Sequence, residues 1–75
     1  MDVRAKMAIG IADSVVAYLV DAGRIKGCDE EKRQAAYLVA VDTAYESLEA
    51  GEEKTDAAID TYERTADYLI ECCPA

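Results

Sequence analysis

Hydrophobic residues recur along the chain at helical spacing, in three segments that are separated by glycine. Gly23 and Gly27 bracket the first break, Gly51 marks the second, and Pro74 follows the third segment. The segments are rich in Ala, Leu, Glu, Lys and Arg, which favour helix, and none shows the period-two alternation of a strand. The pattern therefore predicts one all-α domain, residues 1–75, with three helices at about 3–22, 29–50 and 55–73.

The expected helix ends have local physical causes. Asp29 can cap the second helix, Gly51 suits the left-handed position after its last turn, and Thr55 can cap the third. A link of about four residues joins the second and third helices, and so short a link favours an antiparallel hairpin. We therefore expect an up-down-up bundle in which the first helix packs on this hairpin.

Hydrophobic periodicity also predicts which face of each hairpin helix is buried. In the third helix the spacings of 3 and 4 predict a core stripe of Ile59, Tyr62, Ala66, Leu69 and Cys73. The equivalent stripe of the second helix is Tyr37, Val41, Ala44 and Leu48, flanked by Leu38 and Tyr45.

The first helix has an unusually wide apolar arc, which covers about 220° of its circumference where little more than 100° suffices to pack on one hairpin. The chain is also short and holds 14 alanines, so its own core buries little area. We therefore expect a homodimer, with a second protein as the alternative occupant of the excess apolar surface. The residues expected to contact the second copy or partner are Met7, Ile11, Tyr18 and Tyr68.

The net charge of -8 is unevenly distributed. Residues 1–27 carry four bases and three acids, a net charge of +1, whereas the remainder holds four bases and thirteen acids. An acidic row is expected along the third helix, beside its core stripe, and consists of Asp56, Asp60, Glu63, Asp67 and Glu71. This row suits a basic protein partner; a solvated face, adaptation to high salt, and mimicry of a nucleic-acid backbone are the alternatives.

Composition removes several classes of function. Without histidine there is no Ser-His or Cys-His catalysis and no Cys2His2 zinc site. Too few bases are clustered for phosphate binding, so we expect no nucleic-acid partner. The most apolar stretch, 7–20, is shorter than the about 20 residues that span a membrane and contains Asp13. We expect no membrane partner, no cofactor, no enzymatic activity and a cytoplasmic location.

The three cysteines form no paired metal-binding motif. The hairpin is expected to bring Cys28 near Cys72 and Cys73, and we interpret them foremost as structural thiols. A Cys28–Cys72 disulfide and a thiol metal site are the weaker alternatives.

Together these observations predict a small acidic non-enzymatic regulator or inhibitor that occupies a surface of a larger protein, as phage-type accessory proteins do. The alternative is a structural subunit that assembles through its first helix.

Overall fold

The computed structural model describes residues 2–72, which form a three-helix bundle. Its helices are α1 Val3–Asp21, α2 Glu30–Glu49 and α3 Lys54–Cys72, and the described residues contain no strand. The Cα radius of gyration is 11.8 Å, close to the value of about 11 Å expected of a compact domain of this length. The all-α bundle expected from the sequence is therefore confirmed.

Aspartates cap the first two helices. The Asp2 carboxylate accepts hydrogen bonds from the backbone N–H groups of Arg4 at 2.6 Å and Ala5 at 3.1 Å. These backbone hydrogen bonds, that of Ala5 foremost, lower the pKa of Asp2. Asp29 caps α2 as expected, because its carboxylate accepts the N–H of Lys32 at 2.9 Å.

The expected cap at Thr55 is wrong. Helix α3 begins at Lys54, and its first turn is closed by a hydrogen bond from the Ala57 N–H to the Glu53 carbonyl at 2.9 Å. Thr55 therefore lies inside the helix. Cys73, which was expected to close both the helix and its core stripe, lies outside the described residues.

Both turns between helices begin at a glycine with a left-handed backbone. Gly23 has φ 74° and Gly51 has φ 91°, a region that costs other residues a Cβ clash. Beyond α1, the N–H of Arg24 bonds to the Leu19 carbonyl at 3.0 Å; beyond α2, that of Glu52 bonds to the Ser47 carbonyl at 3.1 Å. These hydrogen bonds make both ends Schellman motifs, which satisfy carbonyls that a helix end leaves unpaired.

The buried face of α1 lies between α2 and α3 and is formed by Ala8, Ile11, Ala12, Val15 and Leu19. Met7 and Val16 are half-buried against the same core. Because α1 packs on two helices at once, the bundle covers more of its wide arc than a single contact would. The large apolar side chains of α1 that stay exposed are Val3, Tyr18 and Val20.

The buried faces of α2 and α3 differ from the predicted stripes. Helix α2 buries Ala36, Ala40, Ala44, Ser47 and Leu48, while Tyr37 and Val41 are only half-buried. Helix α3 buries Ala57, Thr61, Thr65, Ala66 and Leu69. Ile59 and Leu38, which were placed on or beside the stripes, are 51% and 60% exposed. Small residues occupy the interior positions because they let the helices approach closely, and several alanines are fully buried.

Two tyrosines of α2 contact carboxylates of α1 or of the cap that precedes it. The Tyr45 hydroxyl donates a hydrogen bond to Asp2 Oδ2 at 3.2 Å, and this bond raises the pKa of Tyr45. Eight residues earlier in α2, a hydrogen bond to Asp13 raises the pKa of Tyr37. As residue numbers fall along α2 they rise along α1, which establishes that these neighbours are antiparallel.

Candidate protein-binding groove

An exposed aromatic pair marks the surface where α1 meets α3. The rings of Tyr18 and Tyr62 meet edge to face, with centroids 5.4 Å apart and an interplanar angle of 77°. Tyr18 is 60% exposed, while Tyr62 is half-buried against the core. Such pairs combine a large apolar area with a hydroxyl that tolerates water, a combination that is enriched at protein interfaces.

The pair lies at one end of a groove between the two helices, which we call the α1/α3 groove. Helix α1 lines it with Gly10, Ile11, Ser14, Val15 and Tyr18, and helix α3 with Lys54, Thr55, Ala58 and Tyr62. Ser14 lines both halves of the groove, which are therefore adjacent. Helices α1 and α3 make the least contact of the three helix pairs, which leaves this seam open.

The groove is open because small residues occupy its α1 rim. A Cβ placed on Gly10 would meet no atom within 4 Å, so the missing side chain leaves free space. Ser14 follows one helical turn later and is exposed. Neither residue was among those expected to contact a partner. Their small size becomes informative only when α1 and α3 are placed side by side.

The expected contact residues occupy different environments. Tyr18 lies on the surface, in the groove. Ile11 belongs to the core, with an exposed fraction of 3%, and contributes to the lining of the groove. Met7 is half-buried against the core.

Tyr68 lies outside the groove, although it was expected to contact the same second copy or partner as Tyr18. It is half-buried against the core, on the α2 side of α3 beside Val39 and Arg64. A hydrogen bond to Cys72 raises the pKa of Tyr68. The structure therefore separates Tyr68 from Tyr18, and the tyrosine that joins Tyr18 at the surface is Tyr62, which the sequence assigned to the core.

All five members of the acidic row are exposed: Asp56, Asp60, Glu63, Asp67 and Glu71. Because the buried face of α3 is centred on Thr61 and Thr65, the row lies opposite the core rather than beside it. At 100° per residue, Glu63 is the member closest to the groove, on a ridge with Ile59 and Ile70. The two isoleucines are 51% and 60% exposed.

The row begins next to a crowded pair of carboxyl groups at the turn between α2 and α3. A hydrogen bond between Glu52 and Asp60 raises the pKa of Glu52, and the nearby charge of Asp56 adds to this effect. Ser47 acts in the opposite direction, because its hydrogen bond favours the ionised Glu52. This end of α3 is therefore a concentration of negative potential.

The cysteines are in different states. Cys28 is buried and disulfide-bonded, whereas Cys72 is a free, half-buried thiol. The alternative of a Cys28–Cys72 disulfide is therefore wrong, and so is the foremost interpretation of Cys28 as a structural thiol. Among residues 2–72 no group of three side chains is suited to hold a metal ion, and Cys73 of the suggested thiol site lies outside that range.

A second depression lies on α2 and is lined by Glu30, Arg33, Gln34, Tyr37 and Leu38. Its lining mixes both charges and, among residues 2–72, comes from α2 alone. Leu38 is as exposed as Tyr18, at 60%. The α1/α3 groove is therefore the stronger candidate, and Leu38 serves as its matched control.

Comparison with models of protein families, with curated proteins and with solved structures finds no match to this chain. None of the helices within the described range is long and apolar enough to cross a membrane. The function proposed below rests on the geometry of the groove and its charges.

Proposed function

We propose that the chain is a small acidic protein-binding regulator or inhibitor, without catalytic activity, which occupies a surface of a larger protein through the α1/α3 groove. The observation that carries this proposal is the contact of the exposed Tyr18 with the half-buried Tyr62 at the end of the α1/α3 groove. Tyrosine is among the residues that most often dominate binding energy at interfaces. The adjacent acidic row supports a partner with a basic surface.

The test compares two equally exposed side chains. Wild-type protein, Tyr18→Ala and Leu38→Ala are each used as bait in extracts of the native host, after thermal unfolding has verified that all three are folded. We expect one partner that wild type and Leu38→Ala retain and that Tyr18→Ala loses. Retention of the same partners by Tyr18→Ala contradicts a binding role for the groove.

The homodimer predicted from the sequence stays a second candidate, favoured by the exposed Val3 and Val20 on α1. In that case α1 is an assembly face and the chain is a structural subunit. Sedimentation of wild type and Val20→Asp at micromolar concentration tests it. A wild-type dimer that this variant dissociates supports assembly through α1, and a wild-type monomer excludes it. The cytoplasmic location also stays a prediction.

A further inference from the structure

We infer that the partner presents a basic amphipathic helix, which lies in the α1/α3 groove antiparallel to both helices and completes a four-helix bundle. This inference rests on the proposed function, since it names what the groove binds. The shape of the groove, its ridge on α3 and the charge beside it each contribute one step.

The groove has the shape of a site for a helix. At one end Gly10 lies near Lys54, and at the other Tyr18 contacts Tyr62, so residue numbers rise in the same direction along both helices. Two parallel neighbours are the pair that an antiparallel helix joins in an up-down four-helix bundle. The free space at Gly10 allows an incoming helix to approach closely.

The length of the surface also fits a helix of several turns. From Gly10 to Tyr18 the floor extends about 12 Å, at about 1.5 Å per residue. On α3 the exposed Ile59 and Ile70 are eleven residues apart, which is about three turns. They therefore share one ridge and extend the apolar contact beyond Tyr62.

The charge on this ridge indicates the sign of the partner. Glu63 is exposed between Ile59 and Ile70, so apolar, acidic and apolar groups follow one another along the same flank of α3. An amphipathic helix matches this order, with leucines of its apolar face on the isoleucines and a lysine or arginine at the edge of that face opposite Glu63. A second copy fits less well, because each chain carries a net charge of -8.

The probe is a synthetic peptide of about 18 residues, long enough to fold as an amphipathic helix on binding, with leucine on one face and lysine on the other. A matched peptide carries glutamate in place of lysine. Binding is followed by chemical shifts of ¹⁵N-labelled protein. We expect the lysine peptide to shift Ser14, Tyr18 and Tyr62, with an affinity that falls as salt rises, and the glutamate peptide to leave the spectrum unchanged.

Paired variants separate the groove from general attraction to an acidic protein. Glu63→Lys and Glu46→Lys change the net charge equally, but exposed Glu46 lies on α2. We expect Glu63→Lys to weaken the lysine peptide at least about tenfold and Glu46→Lys to do so much less. Gly10→Leu should fill the groove and weaken binding, whereas Gly10→Ala should leave it nearly unchanged.

Three outcomes overturn the inference. Equal binding of the glutamate peptide means that the apolar face alone selects the partner, and equal weakening by the two lysine variants means nonspecific charge attraction. Failure of the lysine peptide to bind, while host protein capture stays sensitive to Tyr18→Ala, removes the basic helix but leaves the proposed function intact. Loss of that sensitivity removes the proposed function itself.

Discussion

The ring of Tyr18 on α1 meets the ring of Tyr62 on α3 edge to face, at a centroid distance of 5.4 Å. These two residues are 44 positions apart in the sequence. They join α1 to α3, the two helices that contact each other least. Their contact therefore contributes to stability and presents an aromatic surface to a partner. The two roles can be measured separately.

We predict that the two tyrosines are energetically coupled. Tyr62→Ala should lower the free energy of unfolding more than Tyr18→Ala, because Tyr62 is half-buried and Tyr18 is 60% exposed. The double mutant should be less destabilised than the sum by about 0.5–1.5 kcal/mol, the coupling typical of aromatic pairs. Urea unfolding of the four proteins measures it. Additive losses show that the rings contribute only their separate burial.

We predict opposite effects of alanine at two glycines that have equal space. A Cβ meets nothing within 4 Å at either Gly10 or Gly51, so crowding by other residues of the fold plays no part. Gly10 lies within α1, and Gly10→Ala should raise the free energy of unfolding by about 0.5–1 kcal/mol. Gly51 has φ 91°, and Gly51→Ala should lower it by about 1–2 kcal/mol. Thermal unfolding measures both, and changes of the same sign exclude the backbone explanation.

The positions of the helices follow from local signals, and the orientation of α3 does not. Asp29 and Gly51 act on their own neighbours in the chain, so their roles can be derived from the sequence. By contrast, hydrophobicity ranks Ile59 above Thr61, yet Thr61 is fully buried and Ile59 is exposed. Thr61 is tolerated inside because its hydroxyl bonds to the Ala57 carbonyl at 2.6 Å, which satisfies its polar group within the helix.

The groove could not be predicted from the sequence for a related reason. Tyr18 was singled out because it lies at the edge of the apolar arc of the first helix. Its partner Tyr62 and the space at Gly10 acquire a role only when α1 and α3 are placed side by side. That pairing depends on packing between distant segments, which no local periodicity records.

We predict that the hydroxyl group of Thr65 lowers the free energy of unfolding. Its Oγ1 is buried and has no hydrogen-bond partner among residues 2–72, whereas Thr61 Oγ1 has one. Thr65→Val keeps the shape and removes the unsatisfied group, so the free energy of unfolding should rise by about 1 kcal/mol. Thr61→Val is the matched control and should give a smaller gain or a loss. Chemical denaturation compares them, and a loss at Thr65 with no loss at Thr61 contradicts this account.

The carboxyl pair at the start of α3 makes stability depend on pH in a direction that can be worked out. The hydrogen bond to Asp60 raises the pKa of Glu52 above its ordinary value of 4.5, so the folded protein holds this proton more tightly than the unfolded chain. The stabilisation is fully present below the ordinary pKa and is lost as the pH rises through the raised value. At neutral pH the ionised Glu52 therefore faces Asp60 and disfavours folding.

Glu52→Gln should consequently raise the midpoint of thermal unfolding at pH 7, because the amide keeps a hydrogen bond to Asp60 and removes the repulsion. The advantage should shrink as the pH is lowered below 4.5, where wild-type Glu52 is itself protonated in both states. Glu53→Gln is the control, because Glu53 is the neighbouring exposed carboxylate and its replacement changes the net charge by the same amount. If the two variants have the same pH profile, the effect belongs to the overall charge of -8 and not to the contact between Glu52 and Asp60.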